Sequence, residues 1–213
     1  MPVEPQTKRA VAFFDGQNLF HAAKDAFGYT FPNFEPILLA EAICKAQGWT
    51  LAGTRFYTGV PDARDDARWQ HFWFEKLNLL KRRGAFVFSR TLRYRNRQVK
   101  LPDGSTHSFL AAEEKGVDVR IAIDIIRLAH RGDYDVAVVF SQDQDLSEVA
   151  SEIRVIASEQ ARWIKIASAF PWSLTTTNTR GIDKTDWIRI ERGVYDACID
   201  PRDYRPKSPP SNP

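Results

Sequence analysis

Three short stretches of this chain hold carboxylates where they could do chemistry. In Phe13-Phe14-Asp15-Gly16-Gln17-Asn18-Leu19 an apolar run stops at an acid; Lys115-Gly116-Val117-Asp118-Val119 and Ser141-Gln142-Asp143-Gln144-Asp145 are the other two. Hard divalent cations such as Mg2+ or Mn2+ take oxygen ligands, usually a few carboxylates completed by water and substrate phosphate. Asp15, Asp118 and Asp143, if brought together, would make such a centre, with Asp145 as a weaker fourth ligand. A metal there would generate an attacking hydroxide and neutralise charge on a scissile phosphate. Asn18 lies about one helical turn past Asp15, with an amide able to orient a ligand or water. Ser141 and Asp124 are supporting candidates. Asp124 follows Asp118 by six residues, roughly 240° around a helix, so the two can hardly share one ion.

Blander roles compete for the same residues. Asp-Gly is a common turn pair, and an acid in a first helical turn complements the helix dipole, which covers Asp15 and Asp118. Asp145 with Glu148 resembles a capping box, so a cap is the first reading of Asp145. His21, His71, His107 and His130 form no close cluster, and Cys44 and Cys198 lack paired metal-ligand spacing. The cysteines read as packing residues.

Carboxylates so far apart in sequence meet only if the fold aligns their elements. Ala10 to Phe14, Ala85 to Ser89, Tyr134 to Phe140 and Trp163 to Ala169 are short apolar runs that read as buried strands. Trp49 to Val60 is a further strand, and Asp186 to Ile190 a last short one. Helices are expected over Leu19 to Phe27, Phe34 to Gln47, Asp62 to Arg83, Gly116 to His130 and Leu146 to Gln160. On the long one, Trp69, Phe72, Trp73, Lys76, Leu77 and Leu80 form a single stripe. Strands alternating with helices imply a mostly parallel sheet with helices on both faces, and ligands of such sheets bind outside the carboxyl ends of strands. Two of these strands end in acids, at Asp15 and at Asp143.

At 213 residues and 43% hydrophobic the chain can bury one sizeable core. The net charge of +3 is too small to point to nucleic acid by itself, but its distribution does. Lys81, Arg82, Arg83, Arg90, Arg93, Arg95, Arg97 and Lys100 fall in one stretch without an acid. Arg93, Arg95 and Arg97 alternate, so a strand would put them on one face, and Tyr94 among them offers a base-stacking surface. Phosphate binding is favoured over a solvated edge strand guarded by charge. Lys115 would add to that surface. Leu101-Pro102-Asp103-Gly104, between two extended segments, is a hairpin signal. No signal-peptide core and no apolar run of about 18 residues appears, so a soluble, cytoplasmic protein is expected.

The acidic stretches together, in this order and spacing, resemble the NYN domain family of PIN-like nucleases. The pattern spans roughly residues 10 to 190: a strand ending in Asp15-Gly16-Gln17-Asn18, a helix start at Lys115-Gly116-Val117-Asp118-Val119 with a later Asp124, and a strand leading to Ser141-Gln142-Asp143-Gln144-Asp145. The third motif departs from the family in having Gln142 where glycine is common. The resemblance implies a Rossmann-like PIN fold of α/β class. It also implies a Mg2+ or Mn2+ phosphodiesterase site on Asp15, Asp118, Asp143 and, less surely, Asp145, with Asn18 assisting. The expected layout is an extension over 1–9, a nuclease domain over 10–200 with a basic β-hairpin insertion at about 91–110, and a disordered Pro-rich tail over 201–213. An endoribonuclease is the leading function, and a non-catalytic RNA-binding or scaffold protein the alternative. A haloacid-dehalogenase-like phosphatase needs a second acid two residues after the first, where this chain has Gln17.

Overall fold

The computed structural model describes residues 2–100, 104–113 and 115–206. Along the chain come β1 (Arg9–Asp15), α1 (Gly16–Phe27), α2 (Pro36–Ala46), β2 (Thr50–Val60), α3 (Ala63–Arg82), β3 (Phe86–Thr91), β4 (Arg93–Lys100) and β5 (Thr106–Glu113). Then follow α4 (Val117–Arg131), β6 (Val136–Phe140), a 3-10 turn (Gln144–Leu146), α5 (Ser147–Glu159), β7 (Lys165–Pro171), β8 (Asp186–Ile190) and α6 (Arg192–Asp196). Six strands form one parallel sheet in the order β3-β2-β1-β6-β7-β8. β4 and β5 pair antiparallel as a separate two-stranded sheet. Of the expected turn between them, Leu101, Pro102 and Asp103 lie outside the described residues.

Successive strand side chains point to opposite faces, and both faces of this sheet are covered, which is why its central strands read as unbroken apolar runs. From β1, Ala10, Ala12 and Phe14 enter one core with α1, α2 and α3, while Val11 and Phe13 enter the other with α4 and α5. Phe14 stacks on Phe140 across the β1–β6 pair, ring centroids 3.9 Å apart. The chain leaves β1 for β2 on one side, whereas β6 leads to β7 on the other. The gap between β1 and β6 is therefore the switch point at which such sheets bind ligands.

Two features depart from the sequence reading. The long helix is broken at Asp66 (φ −154°, ψ 88°): Asp62 caps a first turn at Arg64, and Asp66 restarts the helix by accepting from the Trp69 amide at 3.0 Å. A carboxylate near a helix start competes for backbone amides, and two acids four residues apart give two starts. The folded unit also runs past residue 200. Tyr204 is buried, its ring 5.7 Å from that of Phe72, and its hydroxyl donates to Asp200 at 2.6 Å. Tyr204 and Arg205 thus pack on the folded unit from an otherwise exposed stretch, and 207–213 lie outside the described residues. Lys76, placed in the stripe by its spacing, is buried there. Its ammonium donates to the carbonyls of Phe34 (2.7 Å) and Pro32 (3.2 Å) and lies 3.7 Å from Asp200. Cys44 and Cys198 are free and buried, as expected. Among the described residues no helix is long and apolar enough to cross a membrane.

Asp124 does not support the other acids. It is fully buried, and its carboxylate accepts from Arg55 (3.0 Å), Tyr57 (2.9 Å), Arg120 (3.1 Å) and Arg127 (3.0 Å). Burial opposes its ionisation, but the hydrogen bonds from Tyr57, Arg120 and Arg55 prevail and hold it below the usual carboxylate range. It ties α4 to β2. Removing one member of a buried ion pair typically costs 3–5 kcal/mol, because the partner is left uncompensated. Asp124→Asn should therefore lower unfolding stability by about 3 kcal/mol in urea denaturation and leave divalent-metal affinity unchanged. An unaltered midpoint with weakened Mn2+ binding would return Asp124 to the metal's surroundings.

Candidate active site

Asp15 ends β1 and caps α1, its Oδ1 accepting from the Asn18 amide at 3.0 Å. Gly16 is required for close approach: a Cβ there would lie 2.7 Å from Cζ of Phe56 and 3.1 Å from the Tyr57 carbonyl. Helix α1 thus starts hard against β2, and Asp15 is left only 4% exposed. Its second oxygen accepts from the Ser141 hydroxyl at 3.3 Å. Ser141 in turn accepts from the Asp143 amide at 3.1 Å, so one hydroxyl links the exits of β1 and β6. Asn18 reinforces that link, because its Oδ1 accepts from the Gln142 amide at 2.9 Å. The carbonyl end of Asn18 therefore serves the loop, and only its amide nitrogen remains for a ligand.

The turn after β6 assigns its cap differently from the sequence reading. Asp143 caps the 3-10 turn by accepting from the Asp145 amide at 3.0 Å, and α5 begins after Leu146 without a side-chain cap. The capping box expected of Asp145 and Glu148 is absent, because the 3-10 turn shifts the start of α5 past Asp145. The Asp145 side chain is left exposed.

Asp118 lies in the first turn of α4, half-buried. Burial pushes its carboxyl above the usual range, and repulsion from Asp143 and Asp145 pushes it further. Asp15 is pushed up to about 7, mainly by burial, with Asp118 and Asp143 adding repulsion against the hydrogen bonds from Asn18 and Ser141. Asp143 thus acts on both Asp15 and Asp118, Asp145 acts on Asp118, and the main charges that shift these two groups are negative. An all-oxygen donor set with unbalanced negative charge fits a hard divalent cation. Among the described residues, however, no three His, Cys, Asp or Glu side chains already stand in an arrangement that would hold a metal ion.

Gln142, noted in the sequence as a departure from the family's glycine, and Gln144, given no role there, fasten this edge. Gln142 turns its amide away from the acids and donates to the carbonyls of Asn178 (2.9 Å) and Arg180 (2.7 Å). Gln144 donates to the Gly181 carbonyl at 2.9 Å and accepts from the Asp183 amide at 3.1 Å. The polar segment before β8, which reads as a plain surface loop, is pinned beside the acids by these glutamines. Their repeat around Asp143 was the available signal.

The basic residues fall on β3, on the separate β4–β5 sheet and in the turn before α4. Arg90 lies over the Phe88 ring and donates to the Lys115 carbonyl at 3.4 Å, so it braces the turn before Asp118. Arg93, Arg95, Lys100 and Lys115 are exposed; Arg97 lies on β4, its side chain outside those described. Tyr94 does not share the arginine face. It is half-buried and lines a cavity with Trp69 and Trp73.

A six-stranded parallel sheet whose strands β1 and β6 run out into acids at the switch point defines the class, a PIN-like α/β nuclease fold. The chain belongs to the NYN domain family, which it matches over residues 9–160. Its fold is similar to the crystal structure of a Vibrio parahaemolyticus protein of unknown function (TM-score 0.51, 18% identity), a likeness covering 89% of this chain and 97% of that one. No curated protein matches the chain.

The raised carboxyl of Asp15 has a signed consequence. Folded, it holds a proton up to about pH 7; unfolded, it loses that proton near the ordinary value of about 3.9. Between these values the folded state binds more protons, so without metal this group makes stability fall as pH rises. Asp15→Asn keeps the oxygen that caps α1 and removes the charge. In chelator it should be more stable than the parent by on the order of 4 kcal/mol at pH 8, shrinking to less than half of that at pH 5. Thermal melts at the two pH values check this, and a variant destabilised at pH 8 contradicts it.

Proposed function

We propose that the protein is a metal-dependent endoribonuclease that cuts RNA phosphodiester bonds at the carboxyl edge between β1 and β6. The observation that carries this reading is Asp15: a carboxylate 4% exposed, at the switch point, with the like charges of Asp118 and Asp143 acting on it. A buried charge is retained only when something balances it, and a bound divalent cation together with substrate phosphate would do so. Asp15, Asp118 and Asp143 would hold Mg2+ or Mn2+, with Asp145 at the rim. The metal would supply a Lewis acid and an activated water. Ser141 and the Asn18 amide fix the direction of Asp15, and the free amide nitrogen of Asn18 orients a water or a phosphate oxygen. Arg93, Arg95, Arg97 and Lys100, with Arg90 and Lys115 nearer the acids, bind the phosphate backbone.

One observation favours the second reading, a non-catalytic RNA-binding protein, namely that no three donors among the described residues are gathered in advance. Incubating the purified protein with labelled RNA and DNA, with and without Mn2+, separates the two. Internal cleavage of RNA only with metal is expected. Asp143→Asn should slow it by more than about a hundredfold, since even outer partners of a metal are worth ~10–100-fold. Binding without cleavage under every condition establishes the second reading, and faster cleavage of DNA removes the RNA assignment. In the same assays, replacing Arg93, Arg95 and Arg97 with Gln should weaken binding and flatten its salt dependence by up to about 0.7 for each arginine–phosphate pair removed. An unchanged slope takes the basic strand out of the interface.

A further inference from the structure

Beside the acidic edge, on its β2 side, lies a cavity of about 170 Å³. Its walls include Phe20 of α1, Trp69 and Trp73 of α3, and Tyr94 of β4, with Gln17 and Asp66 as polar members. Gln17 is two residues past Asp15, and its amide donates to the Gly59 carbonyl near the end of β2 at 3.2 Å. The cavity therefore reaches the carboxyl edge at the end of β2, the neighbour of β1 in the sheet. Phe20, Trp69 and Tyr94 are only half-buried, so rings from three separate elements remain partly open to solvent around one small space. Packing alone does not call for that.

The chemistry of the lining narrows the ligand. A cavity of ~150 Å³ accepts a benzene ring, and pockets for whole small molecules run to about 300–1,000 Å³, so this one suits a single flat ring. Asp66 spends Oδ1 on the Trp69 amide, and Gln17 spends its amide nitrogen on Gly59. That leaves the second carboxylate oxygen of Asp66 and the amide oxygen of Gln17, neither of which takes a hydrogen bond among the described residues. Both polar members thus present acceptors, and Asp62 and Asp65 add negative charge near Tyr94. Phosphate is repelled by such a lining, whereas an uncharged ring bearing an amino group is favoured. Stacking on aromatic side chains and hydrogen bonding at the base edge is how single strands are read, and a carboxylate accepting from the cytosine amino group is the matching pair. We infer that this cavity takes one base of the substrate strand, cytosine best, and so confers sequence preference next to the cleavage site. The inference rests on the nucleic-acid reading above.

Fluorescence anisotropy with labelled C8 and U8 RNA in chelator, where no cleavage occurs, tests it. The wild-type protein should bind C8 roughly fivefold or more tighter than U8. Trp69→Leu should weaken C8 binding roughly 5- to 150-fold, the range for removing one stacked ring. Asp66→Asn keeps a good helix cap and a cavity of the same size, but adds a donor, so it should erase the C8 preference while melting at the parent temperature. Equal binding of C8 and U8 by the wild type, or a preference untouched by Asp66→Asn, overturns the base pocket and leaves the nuclease reading standing. Failure of the wild type to bind either octamer overturns both.

Discussion

Asp15 stands where β1 stops pairing with a neighbour on either side, and its carboxylate is held almost out of water by two donors, the Asn18 amide and the Ser141 hydroxyl. Much of the acidic edge follows from that placement. The hydroxyl that holds Asp15 also receives the Asp143 amide, and the amide of Gln142 is taken by Asn18. Helix α1 can start there only because Gly16 lets it approach β2. Fixing one carboxylate in this way fixes the loop after β6, and with it the position from which Asp143 acts on Asp118.

The protein treats buried charge in two opposite ways within one sheet. Asp124 is surrounded by three arginines and a tyrosine and is held ionised, so its charge is spent on joining α4 to β2. Lys76 is handled similarly: burial pushes its ammonium down to about 8, while carbonyls and Asp200 hold it in place. Asp15 receives two hydrogen bonds and, among the described residues, no ion pair, and it is pushed up to about 7. Structural charges are balanced inside the protein. A charge left unbalanced at a switch point is the arrangement a ligand would complete, and perturbed carboxylates of this kind concentrate at functional sites.

What could be read in advance divides along the same line. β1 and β6 were legible because covering both faces of the sheet leaves continuous apolar runs, and Asp15 and Asp143 were legible because those runs end at them. The partners of Asp124 were not legible, because Arg55 lies 69 residues away on β2 and no local pattern links the two. The cap at Asp143, not at Asp145, depended on a 3-10 turn that spacing alone does not reveal. Lys76 fell in the right stripe by position, but only the fold shows that Phe34, Pro32 and Asp200 wait for it. Tyr204 looked like part of a proline-rich tail, and its burial depends on Phe72 in α3. Local grammar carried the strands and their ends; pairings across the chain carried the rest.

The order of strands turns these features into a layout. From the β7 side toward the β3 side, the edge presents first the loop pinned by Gln142 and Gln144, then the acids at β6 and β1, then the aromatic cavity beside β2. Beyond β3 the chain continues into the basic strand β4. On the reading proposed above, a single strand laid along this edge would have its phosphates drawn to β4, one base beside Trp69, and the next phosphodiester over the acids. The pinned loop would close the far side. Because Gln142 is committed to carbonyls of that loop, the side chain found where the family commonly has glycine need not obstruct the acids. It fixes a wall on the β7 side, so on the proposed reading the substrate would enter from the basic and aromatic side.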